Sequence, residues 1–330
     1  MLFDVHSDPR ARARSWLRAA ALALGVLGGA AMPAQAQPAK PAAKAAPSAV
    51  IKAPAAALPA SAANDAVSAA LNLSPAPALV KVPDGRLLAP DIARIVARGE
   101  LVVAMLGVDT PPFFYEKKGE LVGVEVDLAK AIAKELGVNI RFNRTPKTFN
   151  AVVDTVARGE ADIAVSKLSR TLARTQMISF SQPYLSLNHA LILNRVKFAQ
   201  FARDRALPEV IRGFSGSVGV IAKSSFADYA KRNFPNAKVV EYPGWEDVLK
   251  ALDKGDIIGA YRDEFEVKRI LKSDPTASLV LRTVTFKDLE DTLGIAVGIN
   301  DRVLLAFINE FLSQRADKMT VNKVLAAMEK

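Results

Sequence analysis

Cysteine is absent from this 330-residue chain. That excludes a disulfide framework, a thiolate metal site, a cysteine nucleophile and a lipidated N-terminal cysteine. Histidine occurs only as His6 and His189. His6 lies in an N-terminal segment that reads as a secretory signal and His189 at an expected hinge, so no Ser-His-Asp grouping is visible. With no cysteine and one histidine beyond that segment no metal-ligand cluster is expected, and no cofactor either. Gly216-Ser217-Val218-Gly219 is too weak a pattern for a phosphate-binding loop. The apolar run over residues 19–31 is shorter than the roughly 20 residues that span a bilayer. Like charges never form a block of five or six, so the net charge of +10 reads as a solvated surface and not as a nucleic-acid-binding face.

What is present begins with a targeting pattern. Arg10, Arg12, Arg14 and Arg18 precede the apolar run, and Ala34-Gln35-Ala36 supplies the small-x-small sequence that a signal peptidase accepts. Residues 1–36 read as a cleaved secretory signal, the alternative being an uncleaved anchor. Residues 37–87 read as a disordered linker dominated by Ala and Pro, too poor in large apolar side chains to offset ordering entropy. Export without lipid or disulfides fits the periplasm, and a monomer is expected there.

From residue 88 the chain alternates strand and helix patterns. Leu101-Val102-Val103-Ala104-Met105-Leu106 is a buried-strand run. After Gly123 comes an amphipathic helix with Leu128, Ala131, Ile132 and Leu136 on one face, stopped by Gly137. This α/β order predicts mainly parallel sheets covered by helices. The pattern also echoes itself. The segment from Phe149 to Gly159 matches the segment from Trp245 to Gly255, each an aromatic, a helix, a basic residue and a glycine stop. Each leads into an apolar strand that breaks into polar residues, Ser166-Lys167-Leu168-Ser169 in one and Arg262-Asp263-Glu264 in the other. Two similar lobes are implied, with a cleft between polar strand tips, since ligands bind beyond the carboxyl ends of such strands.

Pro111-Pro112-Phe113, Gly123-Val124-Glu125-Val126-Asp127-Leu128 and Gly159-Glu160-Ala161-Asp162-Ile163 resemble motifs of a known family, as do Ser166-Lys167-Leu168-Ser169-Arg170-Thr171-Leu172-Ala173-Arg174 and Phe180-Ser181-Gln182-Pro183-Tyr184. That family is the periplasmic amino-acid-binding class of ABC-transporter solute-binding proteins. The resemblance implies a Venus-flytrap fold, with lobe 1 at 88–191, lobe 2 at 192–293 and a return to lobe 1 over 294–330. The two crossovers would be residues 189–193 outward and 293–298 back. It also implies an amino-acid-like ligand and a membrane permease as partners. By position, Arg174 would clamp the ligand's α-carboxylate, helped by Ser169 and by backbone N–H groups around Ser166 and Ser225. Asp263 would receive the α-ammonium and Phe149 would wall the side chain.

The residue types suit those roles. A guanidinium matches a carboxylate with two parallel hydrogen bonds, and Thr171 stands where an N-cap would put Arg174 in a first helical turn. Each also has a plainer reading: Arg174 as a surface residue, Asp263 as a cap, Phe149 as core. One departure is that Asp109-Thr110 stands where many members carry an aromatic, which leaves Thr110 as the pocket residue there and Phe114 or Phe226 as substitutes. Lys167 and Lys223 replace small residues at the two strand tips. If both face the pocket they oppose a cationic ligand side chain and favour an acidic one; otherwise both reach solvent. Two rival functions keep the same fold: a lyase or dehydratase using Asp263 or Glu264, and a soluble sensor partner.

The targeting pattern generates the first prediction. Mature protein recovered from the periplasm should begin at or near Gln37 by N-terminal sequencing. Recovery of only full-length, membrane-embedded chain would refute the signal assignment.

Overall fold

The computed structural model describes residues 78–329. The signal segment and the linker up to residue 77 lie outside the described residues. The last part of that expected linker is folded instead. Strands β1 (Val80–Lys81) and β2 (Leu87–Leu88) pair antiparallel. Between them Gly85 takes φ 90°, and Asp84 accepts hydrogen bonds from the Arg86 backbone and guanidinium. A Pro-Asp-Gly turn between apolar residues is a hairpin signal that outweighs the Ala/Pro composition upstream.

The first lobe follows the strand-helix order. Its sheet starts with β3 (Glu100–Ala104). A hairpin of β4 (Tyr115–Lys117) and β5 (Glu120–Val122) leads to the helix Val124–Leu136. That helix buries Val126, Leu128, Ala129, Ile132 and Leu136 and ends at Gly137 with φ 71°, the left-handed cap expected there. Then come β6 (Asn139–Asn143), the helix Phe149–Ala157, β7 (Ile163–Ala164) and β8 (Ile178–Phe180). β3 lies parallel between β6 and β7.

A long strand, β9 (Leu185–Asn194), carries the chain into the second sheet. There it joins β10 (Ser217–Ile221), β11 (Lys238–Tyr242), β12 (Gly259–Asp263) and β13 (Leu281–Leu293) in the order β11-β10-β12-β9-β13. The last strand, β14 (Ala296–Gly298), returns to the first sheet, whose order is β6-β3-β7-β14-β8. The helix Arg302–Gln314 then packs on the helix Pro90–Arg98, where the Asp91 carboxylate accepts the Val303 and Leu304 N–H groups. No helix among the described residues is long and apolar enough to cross a membrane.

The crossings lie elsewhere than the sequence placed them. His189 is already inside the second sheet, paired with Asp263 on one side and Phe286 on the other. The outward crossing is therefore residues 185–188. The return is 290–293, after the register of β13 against β9 breaks between Phe286 and Glu290. A long strand that runs from one lobe into the other carries no local mark in its sequence of where it leaves the first. The cores are separate: Ile95, Leu101, Val103, Ile132 and Ile163 belong to the first sheet's core. The second sheet has Phe214, Val218, Phe234 and Tyr261 on one face and Ile192, Val248 and Leu252 on the other.

Gly123 sits at φ 132°, and a Cβ there would lie 2.3 Å from the Phe113 carbonyl oxygen. Gly119, in the turn between β4 and β5, has φ 81° but open space around it. Gly123→Ala should therefore lower the unfolding free energy by about 3 kcal/mol or more. Gly119→Ala should cost only about 1 kcal/mol. Urea denaturation of both variants checks the ranking, and equal losses would contradict it.

Candidate functional site

The two polar strand tips meet. Beyond β7, Lys167 reaches across to the end of β12: its Nζ lies 3.0 Å from Asp263 Oδ2 and 3.2 Å from Glu266 Oε1. The ammonium also stands 4.7 Å and 5.1 Å from the ring centres of Phe113 and Phe265, within cation–π range. Its side chain is 4% exposed, so this is a buried ion pair. The Lys167 backbone is left-handed, φ 48°, which a non-glycine residue adopts at a cost. Both oxygens of the buried Glu125 hold its N–H at 2.9 Å. The Tyr184 hydroxyl also donates to Glu125. Burial pushes the Glu125 carboxyl up to about 7, against the lowering effect of these bonds. Burial alone would likewise raise Glu266, but the cations of Lys167, Arg262 and Arg269 outweigh it and hold that carboxyl below its usual range.

Arg174 is buried beside this pair. Its Nη1 donates to the Ser169 carbonyl at 2.9 Å and its Nη2 to Asn150 Oδ1 at 3.0 Å. Thr171 does accept the Arg174 N–H, at 3.3 Å, but the expected helix is a single 3-10 turn, Arg174–Gln176. Arg174 itself therefore does not sit in the anion-attracting first turn of a regular α-helix. Next to it, the Ser169 hydroxyl donates to Asp291 Oδ2 at 2.9 Å. With that proton committed, the Ser225 hydroxyl is the donor in the 2.7 Å contact between the two serines. Lobe 1, lobe 2 and the returning crossover are thus tied by one hydrogen-bond chain. Burial raises the Asp291 carboxyl to about 6, opposed by the Ser169 hydroxyl. Asp291 was not singled out from the sequence; nothing local distinguishes it from other strand aspartates.

The remaining candidates separate. Phe149, Lys167, Ser169, Arg174, Ser225 and Asp263 line one inner compartment. Its free volume is about 10 Å³, room for one water at most. Ser166 is not among its lining residues: its hydroxyl accepts the Leu106 N–H at 2.9 Å and so closes the gap between two strand ends. Thr110 lines a second, outer compartment of about 350 Å³. Lys223 is exposed and lines neither, so the two lysines part, Lys167 facing the pocket and Lys223 the solvent, where the sequence reading had both in one place or both in the other. The Lys223 backbone, at φ 54°, instead turns its carbonyl to the Asn150 N–H across the cleft. Phe226 does line the inner compartment, whereas Phe114 is core.

Phe149 and Arg262 form the partition between the two compartments. The Arg262 guanidinium carbon lies 5.7 Å from the Phe149 ring centre and 5.4 Å from that of Trp245. These rings begin the helices Phe149–Ala157 and Trp245–Lys254, the two halves of the internal echo. The echo was thus a signal for Trp245 as a site residue. His189 stands apart, packed among Phe226, Tyr229 and Tyr261. Its desolvation there lowers its pKa to about 4, although Asp263 opposes the shift.

Two sheets joined by two crossing strands, with charged strand tips closed on a small cleft, define a hinged ligand-binding protein. The chain matches the model of the bacterial extracellular solute-binding proteins, family 3, over residues 101–328, and it belongs to that family. It is 26% identical over 216 residues to ABC transporter arginine-binding protein 1 of Escherichia coli K12, covering 65% of this chain and 84% of that protein. It is 23% identical over 212 residues to a probable histidine-binding protein of Neisseria gonorrhoeae, covering 64% and 76%. Among solved structures, the ancestral amino acid-binding protein AncCDT-1, a precursor of cyclohexadienyl dehydratase, matches with a TM-score of 0.58 at 25% identity, covering 72% of this chain and 99% of that one. An ancestral arginine-binding protein bound to arginine matches with a TM-score of 0.56 at 26% identity, covering 69% and 97%.

Glu125 gives this site a pH signature. The folded state holds its proton up to about pH 7, while the unfolded chain releases it near 4.5. Its contribution to stability is therefore present at low pH and lost as pH rises between those values. Glu125→Gln removes that dependence, while Asp291 and His189 titrate alike in both proteins. The stability of wild type relative to the variant should fall by on the order of 3 kcal/mol from pH 4 to pH 8. Urea titrations across that range measure it, and a difference that does not change with pH would contradict it.

Proposed function

We propose that this chain is the extracytoplasmic receptor of an ABC transporter, holding an amino acid or a close chemical relative in the interlobe cleft and presenting it to a membrane permease. The carrying observation is the convergence of Arg174, Ser169, Ser225 and Asp263 from two lobes on one closed compartment. Membership of the solute-binding family and relatives named as arginine- and histidine-binding proteins support the same reading. In this proposal Arg174 takes the ligand carboxylate with the guanidinium N–H groups not spent on Ser169 and Asn150, and the Ser169–Ser225 pair adjoins it. Asp263 takes an ammonium in competition with Lys167, and Phe149 walls the side chain. The compartment is nearly filled by its own side chains, so ligand entry goes with opening about the crossing strands. The protein acts as a periplasmic monomer.

A receptor role is favoured over a lyase role by the state of the two candidate acids. Asp263 is paired with Lys167. Glu264 accepts from the Asn188 backbone and side chain at 3.0 Å and from Lys268 at 2.7 Å. Neither is positioned as a free general base.

Thermal-shift screening of L-amino acids and small carboxylic acids on the mature protein tests the proposal. A true ligand at a hundredfold its dissociation constant should add about 2.7 kcal/mol. Saturation should also change the radius of gyration seen by solution scattering. Arg174→Lys keeps the charge but loses the fork, and should weaken binding by about tenfold or more. Wild-type affinity in that variant would remove Arg174 from the clamp, and a panel with no stabilising member would count against the receptor role.

A further inference from the structure

Arg262 is the least conventionally satisfied charge in the cleft. It is only 5% exposed, yet its Nε has no hydrogen-bond partner. The nearest carboxylate oxygen, Asp263 Oδ2, is 3.5 Å away and engaged by Lys167 at 3.0 Å. Beside it the Trp245 indole Nε1 is also buried without an acceptor. Arg262 and Trp245 both line the outer compartment. Buried donors are nearly always paired, so two unpaired ones in side chains that line a cavity mark where an acceptor atom belongs once a ligand has shifted the groups that cover them.

The same wall is unsuited to a cation. The faces of Phe149 and Trp245, which would attract a positive ligand tail, are occupied by the Arg262 guanidinium itself. Two of the four carboxylates on the lining, Glu266 and Asp109, have close cations of their own. Glu266 is 2.8 Å from Arg269 and 3.2 Å from Lys167. Asp109 is 2.8 Å from Arg144. Asp247 lies 3.9 Å from Lys250, and Glu246 is exposed at the rim. Lys147 adds a further positive charge to the lining. A cationic tail would meet Arg262 with no free buried carboxylate to offset the repulsion.

We propose that Arg262 and Trp245 determine specificity, and that the outer compartment receives the anionic end of the ligand, making it an acidic amino acid or a similar carboxylate-tailed solute and not a cationic one. This rests on the receptor reading above. It moves the charge that sets ligand preference from Lys223, which is exposed, to Arg262, with Lys167 spent on neutralising Asp263 and Glu266.

Calorimetry with L-glutamate, L-aspartate, L-arginine, L-lysine and L-histidine on the full mature chain tests it. Wild type should bind glutamate or aspartate at least about tenfold tighter than arginine, a difference of about 1.4 kcal/mol. Arg262→Met frees the two ring faces and should reverse that order. Trp245→Phe keeps a ring but loses the N–H, so acid affinity should drop several-fold while arginine affinity stays. Tighter arginine, lysine or histidine binding by wild type overturns the proposal and leaves the receptor reading standing. So does an unaltered preference in both variants. If no amino acid of any charge binds and none changes the scattering curve, the receptor reading fails and this inference fails with it. Should Arg262→Met not fold by circular dichroism, the wild-type ranking and Trp245→Phe decide the matter.

Discussion

One buried ammonium group forms the ion pair on which the meeting of the two lobes is centred. Lys167 leaves the first sheet at the end of β7, in a backbone conformation that Glu125 pins from behind. Its charge lands between Asp263 and Glu266 at the end of the second sheet's β12. Desolvating such a group costs several kcal/mol unless its partners are well placed. Here two carboxylates and two aromatic rings surround it, so the contact is tolerable only with the lobes together. Opening the cleft returns the ammonium and both carboxylates to water, which softens the loss. In the proposed receptor role the pair would serve as a reversible latch better than as a source of stability.

Around that latch the cleft is close to self-neutral. Lys167, Arg174 and Arg262 face Asp263, Glu266 and Asp291. Most polar groups are answered within the chain: Arg174 by Ser169 and Asn150, Asp291 by Ser169, Ser169 by Ser225. What is left unanswered is at the partition with the outer compartment, where two N–H groups lack acceptors. Two buried donors without acceptors, beside buried carboxylates that are paired, suit the anionic group proposed above. The sheets that present the site have largely separate cores, and the chain passes between them through the crossings over residues 185–188 and 290–293.

Much of this was legible in the sequence because it is written in local patterns. Apolar runs, amphipathic spacing and glycine stops define strands and helices within a dozen residues. The echo between the segments starting at Phe149 and Trp245 showed two equivalent lobes. The polar break after each apolar strand marked both tips; Asp263 was assigned to the cleft through the family resemblance, and Lys167 was left open between pocket and solvent. The Pro83-Asp84-Gly85 turn was equally local, but the Ala/Pro tract before it masked the hairpin.

What tertiary structure decided are the pairings between residues far apart in the chain. Ser166 sits at a tip like Ser169, yet its hydroxyl is spent on the Leu106 N–H, a fact no spacing encodes. Lys223 and Lys167 look alike in sequence and both adopt left-handed backbone, but only one finds carboxylates within reach. Asp291 becomes a site residue because the return strand passes behind Ser169. Arg262 separates the compartments because two helices from different lobes bring their leading aromatic rings to either side of it. Sequence alone determined the elements, the twofold plan and the chemical types at the strand tips, since these depend on neighbours along the chain. Which charges meet, and which are left over for a ligand, depends on distances across the cleft, and those exist only once both lobes are folded and docked.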